Sequence, residues 1–180
     1  LARFFSYNDP LMKMYNTDTV WGIDARNKEK TFALELLMDP DVEVVSLIGQ
    51  AGSGKTLLAV AAGLEQVLGE ESEYKKLIVS RPIQPLGKDI GFLPGTLEEK
   101  MDPWLMPIKD NLEFLMGNDR DMVKMYFEQG VIEIEAITYI RGRSITNAFI
   151  IIDEAQNLTR HELKTILTRV GDGTKIILTG

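Results

Sequence analysis

Short apolar runs alternate with longer, helix-periodic stretches along most of this chain. Val42-Glu43-Val44-Val45-Ser46-Leu47-Ile48, Leu77-Ile78-Val79-Ser80, Phe149-Ile150-Ile151-Ile152 and Lys175-Ile176-Ile177-Leu178 are brief, β-branched and nearly all apolar at their cores. Such runs are strands covered on both faces, as in a parallel sheet. Between them, Phe32, Ala33, Leu36 and Leu37 recur at helical spacing until Asp39-Pro40 stops the pattern, predicting a helix over 27–38. Further helices are expected over 55–68, through Leu115, over 122–129 (ended by Gly130) and near 161–170. Residues 131–135 alternate and read as another strand. Met101, Met106, Met116, Met122 and Met125 fall at broadly helical spacings, which predicts core or interface packing. Strands alternating with helices give an α/β fold, a parallel sheet with helices on both faces.

No repeat or low-complexity tract interrupts this pattern. Residues 1–21 have weak periodicity with a turn at Asn8-Asp9-Pro10, so 1–25 is expected to be an extension or linker before a core at 26–180. The chain begins with Leu and stops at Thr179-Gly180 directly after a strand, which suggests a core incomplete at its C-terminal end.

Composition narrows the chemistry. There is no Cys among 180 residues, and His161 is the one His. Disulfide frameworks, thiol nucleophiles and iron–sulfur clusters are excluded, and a zinc centre nearly so. No apolar run reaches the ~18 residues of a membrane helix, so a cytoplasmic protein without membrane contact is expected. The net charge of −7 argues against a general polyanion coat but leaves room for a local basic groove.

Gly49-Gln50-Ala51-Gly52-Ser53-Gly54-Lys55-Thr56 fits the phosphate-loop pattern G-x-x-x-x-G-K-[ST], with a buried strand before it and a helix after it. Glycines 49, 52 and 54 let the backbone curl so that successive N–H groups face inward. Those donors and the positive helix end form an anion site. Lys55 supplies a mobile cation for the β- and γ-phosphates, and the Thr56 hydroxyl can bind Mg²⁺.

The strand 149–152 delivers Asp153 and Glu154 to the carboxyl end of the sheet, where open α/β folds bind ligands. Asp153 suits Mg²⁺ held through a water, and Glu154 suits polarisation of an attacking water. A hydrolase needs that water; a kinase does not. Gln156 is a candidate γ-phosphate sensor or a link to a nucleic-acid strand, and Thr179 is a candidate polar sensor. In chain order, strand 77–80 intervenes between the phosphate-loop strand and the acidic strand. With Glu154, this indicates a P-loop NTPase with a RecA-like sheet, of the additional-strand branch.

Beyond these motifs, the chain resembles the PhoH family of P-loop ATPases, and most of all the ATPase part of its PIN–PhoH fusions. The resemblance rests on Trp21-Gly22-Ile23, Arg26-Asn27, the phosphate loop, Ser80-Arg81-Pro82 and the segments 87–95 and 98–104. It continues through Tyr139-Ile140-Arg141-Gly142-Arg143 and Asp153-Glu154-Ala155-Gln156-Asn157. It implies ATP and Mg²⁺ as cofactors, with Asn27 among the nucleotide-binding residues. It also implies ATP-dependent unwinding of RNA, a homo-oligomeric ring in the full-length protein, and a PIN ribonuclease domain outside this chain. One departure is Lys30, where similar proteins carry Gln beside the adenine; Lys cannot make a paired donor–acceptor contact.

Remaining cations have two readings each. Arg81 and Lys88 are candidates for the backbone of single-stranded nucleic acid, while Arg81 could equally pair with a carboxylate. Arg141 and Arg143 are candidates for stabilising charge on a neighbour's ATP or gripping nucleic acid, against a surface turn with salt bridges. Gly91-Phe92-Leu93-Pro94-Gly95 would stack on bases, meet a neighbour or pack on Trp104. The expected activity is Mg-dependent ATP hydrolysis powering an RNA helicase or translocase. The alternative is a nucleotide-dependent assembly switch without motor action.

Overall fold

A computed structural model describes residues 2–3, 12–13, 19–70, 72–82, 97–140 and 144–180, with side chains described over most of these. Two small antiparallel hairpins come first: β1 (Ala2–Arg3) with β2 (Met12–Lys13), and β3 (Thr19–Val20) with β4 (Ile23–Asp24). Then follow α1 (Lys28–Met38), β5 (Val44–Leu47), α2 (Lys55–Leu68), β6 (Lys76–Arg81), α3 (Leu97–Leu115) and α4 (Arg120–Glu128). The chain continues through β7 (Ile132–Ala136), α5 (Ile137–Ile140), β8 (Ala148–Ile152), a 3₁₀ turn at Ala155–Asn157, α6 (Arg160–Leu167) and β9 (Lys175–Thr179).

β5 to β9 form one parallel sheet in the order β5-β9-β8-β6-β7. Alternation along each strand sends side chains to opposite faces. Val45, Leu77, Val79, Phe149, Ile151 and Ile177 pack in one core with residues of α1 to α4. Ile78, Ile150, Ile152 and Ile176 pack in a second core with Ile137 and Ile140 of α5 and Ile166 of α6. The helices therefore cover both faces, as the apolar pattern predicts. All five residues of β8 are buried, which explains why its sequence carries no polar position until Asp153.

The strand that lies between the phosphate-loop strand β5 and the acidic strand β8 in space is β9, not β6. Chain order misled here: the segment 77–80 intervenes in sequence but pairs on the far side of β8. The additional strand is thus the chain's last one. Its backbone continues the pairing past the strand ends, with Gly49 N–H donating to Gly180 O at 3.1 Å and Gly180 N–H to Leu47 O at 3.0 Å. The phosphate loop and the tip of β9 are bound to each other directly.

Two contacts anchor the periphery. Trp21 stands at positive φ in the turn between β3 and β4, and its Nε1–H donates to Leu115 O at 2.9 Å, tying that hairpin to the end of α3. The buried Lys175 ammonium donates to Leu36 O at 2.8 Å and Asp39 O at 2.6 Å. It thereby fixes β9 to the C-terminal end of α1, where helix carbonyls need donors.

The core half of the methionine expectation holds only in part. Met116 is buried, whereas Met106, Met122 and Met125 are exposed, since α3 and α4 turn those positions away from the sheet. Met101, the segment 91–95, Lys88, Arg141 and Arg143 lie outside the residues whose side chains are described.

Candidate active site

The phosphate loop joins β5 to α2. Gly52 and Gly54 adopt left-handed backbone, φ 76° and 87°, which L side chains rarely adopt. Gly54 is the N-cap of α2, so the loop ends on the helix's unpaired N–H groups. Lys55 Nζ arches over the loop and donates to Gly49 O at 2.7 Å and Gln50 O at 2.9 Å. Ser53 N–H donates to Gln50 O, closing the turn.

The acidic turn faces this loop. Thr56 Oγ1–H donates to Asp153 Oδ1 at 2.7 Å, and Thr179 Oγ1–H donates to the same oxygen at 2.7 Å. Asp153 is only 5% exposed. It is held by its own N–H, which donates to Ser80 O at 2.8 Å, extending the β8–β6 pairing one residue beyond the strand. The next residue, Glu154, has left-handed backbone at φ 54°, ψ 41°. Such a conformation in a non-glycine residue stores strain of about 1–3 kcal/mol and concentrates at functional sites.

Both carboxylate oxygens of Glu154 are engaged. Arg81 Nη2 lies 3.2 Å from Oε1, and the Gln156 amide donates to Oε2. Arg81 also approaches Asp153 Oδ2, Nε to O 3.9 Å, and donates from Nη1 to Trp104 O at 3.3 Å. The carboxylate-pairing reading of Arg81 is the one the geometry realises.

These groups line one cavity of about 510 Å³. Its wall includes Gly49, Ala51, Gly52, Gly54, Lys55 and Thr56 from the loop, and Asp153, Glu154 and Gln156 from the acidic turn. Thr179 and Gly180 complete that side. Pro107 and Asn111 of α3 also line it. Neither carries a signal in the sequence, because nothing local marks which face of α3 would close over the loop.

Asn27 and Lys30 do not line this cavity. A second cavity, about 490 Å³, runs between α1 and β5 and reaches Gly49, Ser53 and Lys55. Asn27 Oδ1 accepts the Lys30 N–H at 2.9 Å, so Asn27 is the N-cap of α1. Lys30 Nζ reaches toward the phosphate loop, 3.8 Å from where a Cβ on Gly54 would stand.

The donor set fits Mg²⁺. A Thr hydroxyl and a buried carboxylate oxygen 2.7 Å apart are hard oxygen ligands. Mg²⁺ is commonly bound through one or two such groups plus phosphate and water. Among the described residues, no group of three or more His, Cys, Asp or Glu forms an alternative metal cage. No helix among them is long and apolar enough to cross a membrane.

Comparison with known proteins agrees with this geometry. Residues 22–180 match the family described as PhoH-like protein. Protein PhoH2 of Bacillus subtilis is 57% identical over 169 residues, covering 93% of this chain and 38% of that protein. Protein PhoH2 of Mycolicibacterium smegmatis is 44% identical over 161 residues, 89% of this chain and 36% of that one. The PhoH-like protein of Synechocystis is 45% identical over 139 residues, 77% of this chain and 41% of that one. The chain thus spans well under half the length of these curated relatives. Among solved structures, the SWI2/SNF2 ATPase core of Sulfolobus solfataricus in complex with dsDNA superposes with a TM-score of 0.53 at 18% identity. The match covers 96% of this chain and 34% of that one, and it bears on the fold alone. Phosphate loop, buried acidic strand end, sheet order and family match converge: this chain is a P-loop NTPase core and belongs to the PhoH-like protein family.

Proposed function

We propose that this chain binds Mg·ATP and hydrolyses it, and that in the longer protein hydrolysis drives movement along single-stranded RNA. The observation that carries the hydrolytic part is the convergence of Thr56, Asp153 and Glu154 beside the phosphate loop.

The loop N–H groups and the end of α2 would receive the phosphate chain. Lys55 would leave its loop carbonyls for the β- and γ-phosphates, neutralising charge that grows in the transition state. Thr56 and Asp153 would hold Mg²⁺, which supplies charge neutralisation and a fixed triphosphate geometry when bound. Glu154 accepts the proton of the attacking water as its oxygen bonds to the γ-phosphorus. The bond to the β,γ-bridging oxygen breaks, releasing ADP and phosphate. Thr179, which shares the Asp153 oxygen with Thr56, would register the γ-phosphate. In an oligomeric ring, Arg141 or Arg143 would stabilise charge on a neighbour's ATP, and Lys88 would contact RNA.

The RNA part rests on the family resemblance and is tested separately. The full-length protein should hydrolyse ATP, hydrolysis should rise with added single-stranded RNA, and RNA duplexes should be separated in an ATP-dependent manner. No hydrolysis sinks the enzymatic reading. Hydrolysis without RNA stimulation or strand separation sinks the motor reading and leaves the assembly switch.

A further inference from the structure

We infer that Arg81 is a positioning residue for hydrolysis, acting through Glu154, rather than a contact for nucleic acid; the inference rests on Glu154 being the base. Arg81 ends β6, and β6 pairs with β8 through Ser80 and Ile152. The next hydrogen bond, Asp153 N–H to Ser80 O, brings the acidic turn alongside Arg81. The side chain is only 21% exposed, and its fork is divided among three partners: Glu154 Oε1, Asp153 Oδ2 and Trp104 O.

That division has a mechanistic consequence. A glutamate side chain has three free torsions, and a general base must sit within hydrogen-bond reach of its water. Arg81 fixes one oxygen of Glu154 and Gln156 the other, so the carboxylate is oriented from both sides. The same guanidinium binds α3 at Trp104, and α3 presents Pro107 and Asn111 to the cavity. One guanidinium therefore holds the base and is itself held by α3. A planar fork can satisfy these partners simultaneously; an ammonium cannot.

The test uses the full-length protein and four variants: Arg81→Ala, Arg81→Lys, Glu154→Gln and the double variant Arg81→Ala/Glu154→Gln. Arg81→Ala should lower kcat by about 10- to 100-fold, the range expected from misplacing a reacting group. Affinity for a fluorescent ATP analogue should stay within about twofold of the parent, because the phosphate loop is untouched. Arg81→Lys should recover part of the loss. The double variant should be no slower than Glu154→Gln, because Arg81 acts through that carboxylate. The inference is overturned if Arg81→Ala hydrolyses at the parent's basal rate and loses only RNA stimulation. It is also overturned if its loss multiplies fully with that of Glu154→Gln, or if analogue binding falls as far as kcat. A parent protein that hydrolyses no ATP overturns the proposed function itself, and this inference with it.

Discussion

Thr56 and Asp153 are 97 residues apart in the chain and 2.7 Å apart in the fold. Their contact depends on β9, which separates β5 from β8 and adds Thr179 to the same carboxylate oxygen. Two parallel strands flanking a third bring a helix-start hydroxyl and a strand-end carboxylate to one point. Neither motif creates that point alone.

Replacing Asp153 by Asn isolates its charge. Asn keeps a carbonyl oxygen that can still accept both hydroxyls, while the longer ion pair of Oδ2 with Arg81 is lost. The loss falls on the cation: the Mg²⁺ concentration for half-maximal ATPase should rise by about 10- to 100-fold, as for other groups that support a metal. A Mg²⁺ titration of parent and variant reads this directly. An unchanged half-maximal concentration would remove Asp153 from the metal site.

Gly63 tests the packing that holds the loop in place. It lies mid-α2, where a Cβ would stand 2.7 Å from Leu77 Cδ1 and 3.0 Å from the Phe149 ring, both fully buried. Alanine gains about 1 kcal/mol of helix propensity over glycine. Overpacking a closed core costs about 1–3 kcal/mol. The clash involves β6 and β8 at once, so the cost should win. Gly63→Ala should lower the midpoint of thermal unfolding, and a raised midpoint would contradict the close approach of α2 to the sheet.

Much of this architecture is legible in the sequence because the sheet is buried on both faces. Short, β-branched apolar runs with no alternation, bounded by turn residues, read as interior strands, and the 55–68 helix has the bounds the pattern predicts. The phosphate loop and Asp153-Glu154 are legible because their chemistry demands fixed residue types. What the chain does not reveal locally is lateral order. The place of β9 between β5 and β8, and the partner of Arg81 across the β6–β8 register, are properties of strands meeting in space. Spacing within one segment carries no trace of them. The same reason hides Pro107 and Asn111, and it left core and interface packing undistinguished for the methionines, of which Met106, Met122 and Met125 are exposed.

Tyr74 offers a pH signature of the fold independent of activity. Its ring packs edge-on against Phe149, centroids 5.6 Å apart, and the residue is 8% exposed. Burial, reinforced by the nearby Glu73, Asp39 and Glu43 carboxylates, pushes its phenol from 10.0 up to about 12. Below the unfolded value both states keep the proton and stability is unaffected. Between about pH 10 and about pH 12 the unfolded chain releases it while the folded chain retains it, so stability falls as pH rises. Urea unfolding across that window should show a decline that Tyr74→Phe lessens, by at most about 3 kcal/mol. Identical slopes for parent and variant would refute it.

Binding and turnover should separate cleanly at the site. Lys55 contacts the phosphate loop, and in the proposed function it would serve the bound nucleotide as a charge, so Lys55→Ala should weaken binding of a fluorescent ATP analogue and abolish turnover with it. Glu154→Gln is nearly isosteric and removes basicity, charge and one of the two acceptor oxygens that face Arg81 and Gln156; the phosphate loop is untouched, so binding should persist while kcat falls by about 10²- to 10⁴-fold. Single-turnover measurements with saturating enzyme distinguish the two losses, since they report chemistry without product release. Parent-like single-turnover rates in Glu154→Gln would remove Glu154 as the base. The attacking water would then need another acceptor, and among the described residues lining the cavity the remaining carboxylate, Asp153, is already committed to two hydroxyls.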